Sequence, residues 1–139
     1  MRQQAQVPPA ARSDGMDLGT GFRHNLPRLQ LTTRDDGHVT ILTVDGDLVI
    51  GESESLFKKT ITRLLETGKV NLLVDLRRVG FLDSSGLGAL VRAMTMSQKE
   101  GGQTKLLGAG PQVKKLLEMT RLDSVFENHT DMETAVSSF

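Results

Sequence analysis

The 139-residue sequence has no cysteine, no tryptophan and no tyrosine, and only 5 phenylalanines. Without cysteine there are no disulfides, thiolate metal sites or cysteine nucleophiles, so an extracellular disulfide scaffold is excluded. So few aromatics leave base-stacking platforms and aromatic cages without material. A surplus of one charge is also missing, since 17 Lys and Arg balance 17 Asp and Glu. A neutral chain carries no electrostatic footprint for nucleic acid and no polybasic patch for an anionic membrane. No apolar run approaches the roughly 20 residues of a membrane span. The opening residues, MRQQAQVPPA, hold no apolar stretch of signal-peptide type. These absences predict a soluble, cytoplasmic chain that binds neither nucleic acid nor membrane directly. Its function must then reside in a local motif.

What is present falls into two textures. Residues 1–27 hold three of the 4 prolines and three glycines, with no apolar periodicity. Such a segment cannot bury enough surface to offset its ordering entropy and reads as a flexible tail, with Phe22 and Leu26 as its points of contact with the domain. Residues 28–139 form one domain, enough for a two-layer core. Leu29, Leu31 and Thr33 alternate with polar residues as in a half-buried strand. Asp35-Asp36-Gly37 is a hairpin turn signal leading to a second strand over His38–Val44. In GESESLFKKTITRLLETG, the pairs Leu56/Phe57, Thr60/Ile61 and Leu64/Leu65 share one helical face, and Gly68 stands at the C-terminal cap position. Val70–Leu76 is almost continuously apolar, as in a central strand. A second helix starts at the Asp83-Ser84-Ser85-Gly86 turn and runs to about Glu100, ended by Gly101-Gly102. Lys105–Ala109 reads as a strand, Pro111 opens a third helix carrying Val113, Leu116 and Leu117, and Val125-Phe126 reads as a short strand. A last helix opens with Thr130 and Glu133 at capping-box spacing and carries Ala135, Val136 and Phe139. A hairpin followed by β–α alternation predicts an α/β domain with a mixed sheet and right-handed crossovers.

Catalytic patterns are missing from the sequence. His24, His38 and His129 show no metal-ligand spacing and read as surface or cap histidines. Neither Ser84 nor Ser85 sits in a GxSxG elbow. Gly86-Leu87-Gly88 starts a GxG pattern, but position 91 is valine, so no dinucleotide fingerprint and no cofactor are expected. The informative stretch is Val74 to Gly88, VDLRRVGFLDSSGLG, where an apolar strand turns into a helix with two hydroxyls at the turn. Two readings fit. In one, Ser84 or Ser85 simply caps the helix and the glycines permit close packing. In the other, a serine hydroxyl at a helix N-terminus is a phosphoacceptor, and phosphate would place about −1.5 to −2 charges on a partner surface. Along the helix, Leu87, Leu90, Val91 and Met94 make one stripe expected to face the core. Ala89, Ala93 and Met96 lie on nearly the opposite side, either as an adaptable partner face or as an ordinary surface.

VDLRRVGFLDSSGLGALVRA, the glycines at 101–102 and PQVKKLLEMTRLDSVFE together resemble the STAS domain of bacterial anti-sigma factor antagonists. The resemblance spans Leu29 to Val136 and implies a STAS fold: a small mixed sheet of about five strands with about four helices packed mainly on one side. It also implies a non-enzymatic role in transcription control. The unphosphorylated antagonist binds an anti-sigma factor, often a serine kinase, and frees the sigma factor. The kinase phosphorylates the serine after the motif aspartate, here Ser84, and a serine phosphatase reverses it. Asp83, Ser85 and Gly86 match the flanking motif positions that shape the site and meet the partner. Asp47 matches an acidic position of a Gly-Glu-Leu-Asp-like segment on the partner surface. Here that segment reads Gly46-Asp47-Leu48-Val49, and Val49 replaces the second acid. The departure admits an alternative of another class, a constitutive STAS adaptor of a transport ATPase or signalling scaffold.

Overall fold

A computed structural model describes residues 29–139. The expected tail over residues 1–27, with Phe22, His24 and Leu26, lies outside the described residues. Two antiparallel strands open the domain, β1 (Gln30–Asp36) and β2 (Val39–Asp45). Then follow α1 (Glu52–Glu66), β3 (Asn71–Arg78), α2 (Ser84–Lys99), β4 (Gln103–Leu107), α3 (Pro111–Met119), a short 3-10 turn (Leu122–Ser124), β5 (Asn128–His129) and α4 (Met132–Ser137). The strands lie side by side in chain order, β1 antiparallel to β2 and all others parallel. This is the mixed sheet that the alternation of strand and helix signals demanded.

The apolar spacing dictates which face each helix buries. Phe57, Ile61, Leu64 and Leu65 of α1, Leu87, Leu90 and Met94 of α2, and Val113 and Leu117 of α3 converge on one sheet face with Leu42, Val44, Leu72, Val74 and Leu106. The other face holds a smaller cluster of Val39, Ile41, Leu73 and Leu107, covered by Met132, Ala135 and Val136 of α4 and by Phe139 after it. Three helices thus pack on one side and one on the other. β3 is buried on both faces from Leu72 to Leu76, as its unbroken apolar run requires. Gly68 caps α1 in the left-handed region (φ 85°), with its N–H on the Leu65 carbonyl and the Lys69 N–H on Leu64.

Four sequence expectations are corrected. β1 is almost entirely exposed and only its Leu31 is half-buried, because an edge strand pairs with β2 alone and no helix covers it. Val125-Phe126 is not the last strand: Val125 is exposed and Phe126 plugs the larger core, while Asn128–His129 supplies the strand. A two-residue polar strand has no alternation to read. The last helix is capped by Asp131, whose carboxylate accepts from the Thr134 N–H at 2.9 Å, so Thr130 and Glu133 form no capping box. His129 stands in β5, with Nε2 3.1 Å from Glu127 Oε1 and 3.3 Å from the Ser138 hydroxyl, and is neither a cap nor a freely exposed side chain.

Candidate functional site

Two chain segments meet at the carboxyl ends of β2 and β3. After β2 the backbone runs through Asp47–Ile50, and after β3 it turns at Val79 and returns as Phe81–Asp83. The two segments form a short parallel bridge: the Leu48 N–H donates to the Phe81 carbonyl (3.1 Å), and the Asp83 N–H donates to the Leu48 carbonyl (3.3 Å). Leu48 and Leu82 are fully buried and anchor the bridge in the core. On the far side of Leu82 a side chain takes the place of a strand. The Gln112 amide accepts from the Leu82 N–H and donates to the Leu82 carbonyl, both at 3.0 Å.

Asp83 is the N-cap of α2. One carboxylate oxygen accepts from the Gly86 N–H (2.8 Å), the other from the Ile50 N–H (2.9 Å), so one side chain ties the helix start to the neighbouring loop. Desolvation pushes this carboxyl up, yet the N–H donors of Ile50, Gly86 and Ser85 outweigh it and hold Asp83 below the usual carboxylate value. The cap is therefore Asp83, not Ser84 or Ser85. Ser84, the first helical residue, is exposed, and among the described residues no side chain hydrogen-bonds to its hydroxyl. Ser85 is half-buried. Gly86 is buried where α2 touches the bridge: a Cβ on it would lie 2.1 Å from the Leu48 carbonyl oxygen. Glycine is thus required at this position by space, not by dihedral angle.

Of the residues singled out in the sequence, the fold brings Asp47, Asp83, Ser84, Ser85 and Gly86 to one end of the sheet. Asp47 is exposed and lies beside Gly80, its Oδ1 3.7 Å from where a Cβ would stand. The expected partner face of α2 does not exist as drawn. Ala89 and Ala93 are buried in the larger core and Met96 is half-buried against it. Ser97 and Thr104 join hydroxyls at 2.7 Å on the same flank, and the Thr104 hydroxyl donates to the Ala93 carbonyl at 3.3 Å. These alanines are small because α2 wedges closely against β4, so its buried arc is wider than a single stripe. The exposed stripe is Ser84, Gly88, Arg92, Thr95 and Lys99.

Two neighbours of Ser84 carried no signal in the sequence. Ile50 (71% exposed) and Phe81 (46% exposed) are large exposed apolar groups in the two paired segments. Neither belongs to a periodic pattern; their one cue is a position between elements. Val49 is half-buried, and its backbone is taken up by the start of α1: its N–H donates to the Ser53 hydroxyl (2.9 Å), which donates back to the Val49 carbonyl (2.8 Å). Among the described residues no group of His, Asp and Glu is placed to hold a metal ion, and no helix is long and apolar enough to cross a membrane.

The STAS domain family profile matches residues 30–136. The anti-sigma-B factor antagonist of Listeria monocytogenes is 27% identical over 103 residues, covering 71% of this chain and 85% of that protein. The crystal structure of a candidate anti-sigma factor antagonist from Thermotoga maritima superposes with a TM-score of 0.73 at 26% identity, covering 78% of this chain and 92% of that one. The Bacillus cell fate determinant SpoIIAA in its phosphorylated form shares the fold, with a TM-score of 0.63 at 20% identity over 81% of this chain and 100% of that one.

Proposed function

This chain belongs to the STAS-domain family, and from that membership we propose that it is an anti-sigma factor antagonist switched at Ser84. In the unphosphorylated state it binds an anti-sigma factor of the serine-kinase type and frees a sigma factor. Phosphate on Ser84 ends the binding, and a serine phosphatase restores it. The chain is the substrate of these reactions and has no catalysis of its own.

The observation that carries this reading is the freedom of the Ser84 hydroxyl. Asp83 already caps α2, so Ser84 stands at the first helical position, exposed and with no hydrogen-bond partner for its hydroxyl among the described residues. A kinase can reach it without unfolding the helix. The relatives named for the role support the antagonist reading, and the phosphorylated form named for SpoIIAA belongs to a protein of the same fold.

The chemistry of the off-state follows from the surroundings. Exposed Ile50 and Phe81 offer a partner apolar area, worth about 25 cal/mol per Å2 once covered. A phosphate adds about −1.5 to −2 charges beside the Asp83 carboxylate. Covering the apolar groups would then mean desolvating that charge, and an acidic partner surface would be repelled.

Incubation of the full chain with the cognate anti-sigma kinase and ATP places one phosphate on Ser84, located by mass spectrometry. Ser84→Asp weakens binding to the anti-sigma factor by about tenfold or more. Absence of phosphate from Ser84, or Ser84→Asp binding as tightly as the unmodified chain, refutes the switch. Recovery of transport-ATPase subunits instead of a kinase in a pull-down favours the adaptor reading, whose support is Val49 in place of an acidic residue.

A further inference from the structure

We propose that Gln112 is a positioning residue for the Ser84 turn, acting through Leu82 and Asp83, and that α3 is thereby coupled to the phosphoacceptor site. This rests on the reading of Ser84 as the phosphoacceptor.

The Phe81–Asp83 segment is extended at the Leu82 bridge, with one backbone neighbour among the described residues. Leu48 pairs with it on one edge, through Phe81 and Asp83. On the other edge, where β4 would continue in a longer sheet, the chain has already left for α3. The Gln112 side chain fills that place, satisfying both backbone groups of Leu82 at 3.0 Å each. A carboxamide carries a donor and an acceptor side by side on separate atoms, so Gln112 closes this pair in its ordinary ionisation state. Reach then selects Gln on a helix.

Consequences travel along the backbone. The Leu82 peptide plane sets where Asp83 begins, and the Asp83 carboxylate reaches both Ile50 and Gly86 at once. Two hydrogen bonds of 2.8 and 2.9 Å diverging from one carboxylate tolerate little displacement. Ser84 follows directly and inherits its position from the cap. Gln112 is the second residue of α3, which is itself fixed by buried Val113 and Leu117. The amide is thus held from behind by the core and aimed at the turn.

The test reads amides that Gln112 does not touch. Hydrogen exchange on the full chain should show protection at Ile50 and Gly86 falling by about tenfold or more in Gln112→Leu, as expected when a local opening becomes easier. The Thr120 amide at the end of α3 and the amides of β2 and β3 should keep their protection. Loss confined to the Leu82 amide overturns the proposal. Should Gln112→Leu disturb α3 itself, Gln112→Glu separates the cases, because its length is unchanged. As a carboxylate it accepts from Leu82 N–H but opposes the Leu82 carbonyl, so protection at Ile50 and Gly86 falls. Below about pH 4.3 the neutral acid regains one donor and one acceptor. Protection factors at both amides, each taken relative to wild type at the same pH so that any titration of Asp83 cancels, then rise in Gln112→Glu and not in Gln112→Leu. No recovery in Gln112→Glu also overturns the proposal. These measurements involve no kinase, so their failure is separate from a failure to find phosphate on Ser84.

Discussion

Gly86 and Gly88 stand two residues apart in α2, and substitution by alanine should move stability in opposite directions. At Gly88 an added Cβ meets nothing within 4 Å. The helix term alone then acts, and Gly88→Ala stabilises by about 0.5–1 kcal/mol. At Gly86 the same helix term is opposed by a collision. The Cβ would stand 2.1 Å from the Leu48 carbonyl oxygen, 3.0 Å from the Leu48 carbonyl carbon and 3.1 Å from Leu48 Cγ. Relief requires the helix start and Leu48 to separate by about 1 Å, and neither partner is free. The Leu48 carbonyl accepts the Asp83 N–H, its N–H donates to Phe81, and its side chain is fully buried. Separation also pulls the Asp83 carboxylate off Ile50 or Gly86. Overpacking costs about 1–3 kcal/mol and a weakened cap about 1 kcal/mol more. After subtracting the helix gain, Gly86→Ala destabilises by about 1–3 kcal/mol, a fall of roughly 4–13 °C in Tm for a domain of this size. With no Trp or Tyr in the chain, far-ultraviolet circular dichroism during urea unfolding is the suitable assay. Gly86→Ala as stable as wild type, or shifts of the same sign at the two glycines, refutes the close approach of α2 to Leu48.

The remaining expectations concern the cap, the core flank of α2 and the C-terminal helix. Asp83→Ala destabilises by about 1–2 kcal/mol at pH 7 through loss of the cap. Because the folded carboxyl lies below its unfolded value of 3.8, that stabilisation is complete above the unfolded value and is lost as pH falls through the folded one. The gap between variant and wild type in urea unfolding should therefore narrow on acidification, and a widening gap contradicts the assignment. Ala93→Glu places a carboxylate in the core beside Thr104 and costs about 3 kcal/mol or more, whereas Arg92→Glu, one residue earlier on the exposed stripe, stays within about 0.5 kcal/mol. Equal thermal midpoints for the two variants would return Ala93 to the surface. Lys105 is buried, with Nζ 2.7 Å from the Ser138 carbonyl, 3.2 Å from Glu127 and 4.9 Å from the centroid of the Phe139 ring. Lys105→Met removes the donor and destabilises by about 1–2 kcal/mol. It also speeds amide exchange at Ala135 and Ser138; unchanged exchange there would show that Lys105 does not hold α4.

The element order and the buried face of α1 and α3 were legible because Phe57, Ile61 and Leu64, and Val113 and Leu117, repeat at helical spacing and are buried as that spacing requires. The Ser84 turn was legible as a strand-to-helix junction, but not which residue caps it. Asp83, Ser84 and Ser85 are all competent caps, and the choice is made by the Ile50 N–H from another segment, which local sequence cannot report. Ala89 and Ala93 misled for a related reason: alanine suits a tight interface as well as an indifferent surface. A helical wheel assumes one partner for α2, whereas the helix meets the sheet and α1 together. Gln112 carried no local signal at all, because its two bonds reach a residue 30 positions away.

The division of labour between Asp83 and Ser84 has a mechanistic consequence under the phosphoswitch reading. Were Ser84 the cap, its modification would remove an acceptor from the first turn and perturb the helix. With Asp83 holding Ile50 and Gly86, a phosphate on Ser84 leaves both bonds in place and adds charge at the positive end of the α2 dipole. Its effect on folding is then small, and the whole difference between the two states falls on whatever meets Ile50, Phe81 and the turn. Thermal unfolding of the phosphorylated and unmodified chains should therefore agree within about 1 kcal/mol. At the same time, their affinities for the anti-sigma factor should differ by about tenfold or more. A large loss of stability on phosphorylation would place the switch inside the helix and not on its surface.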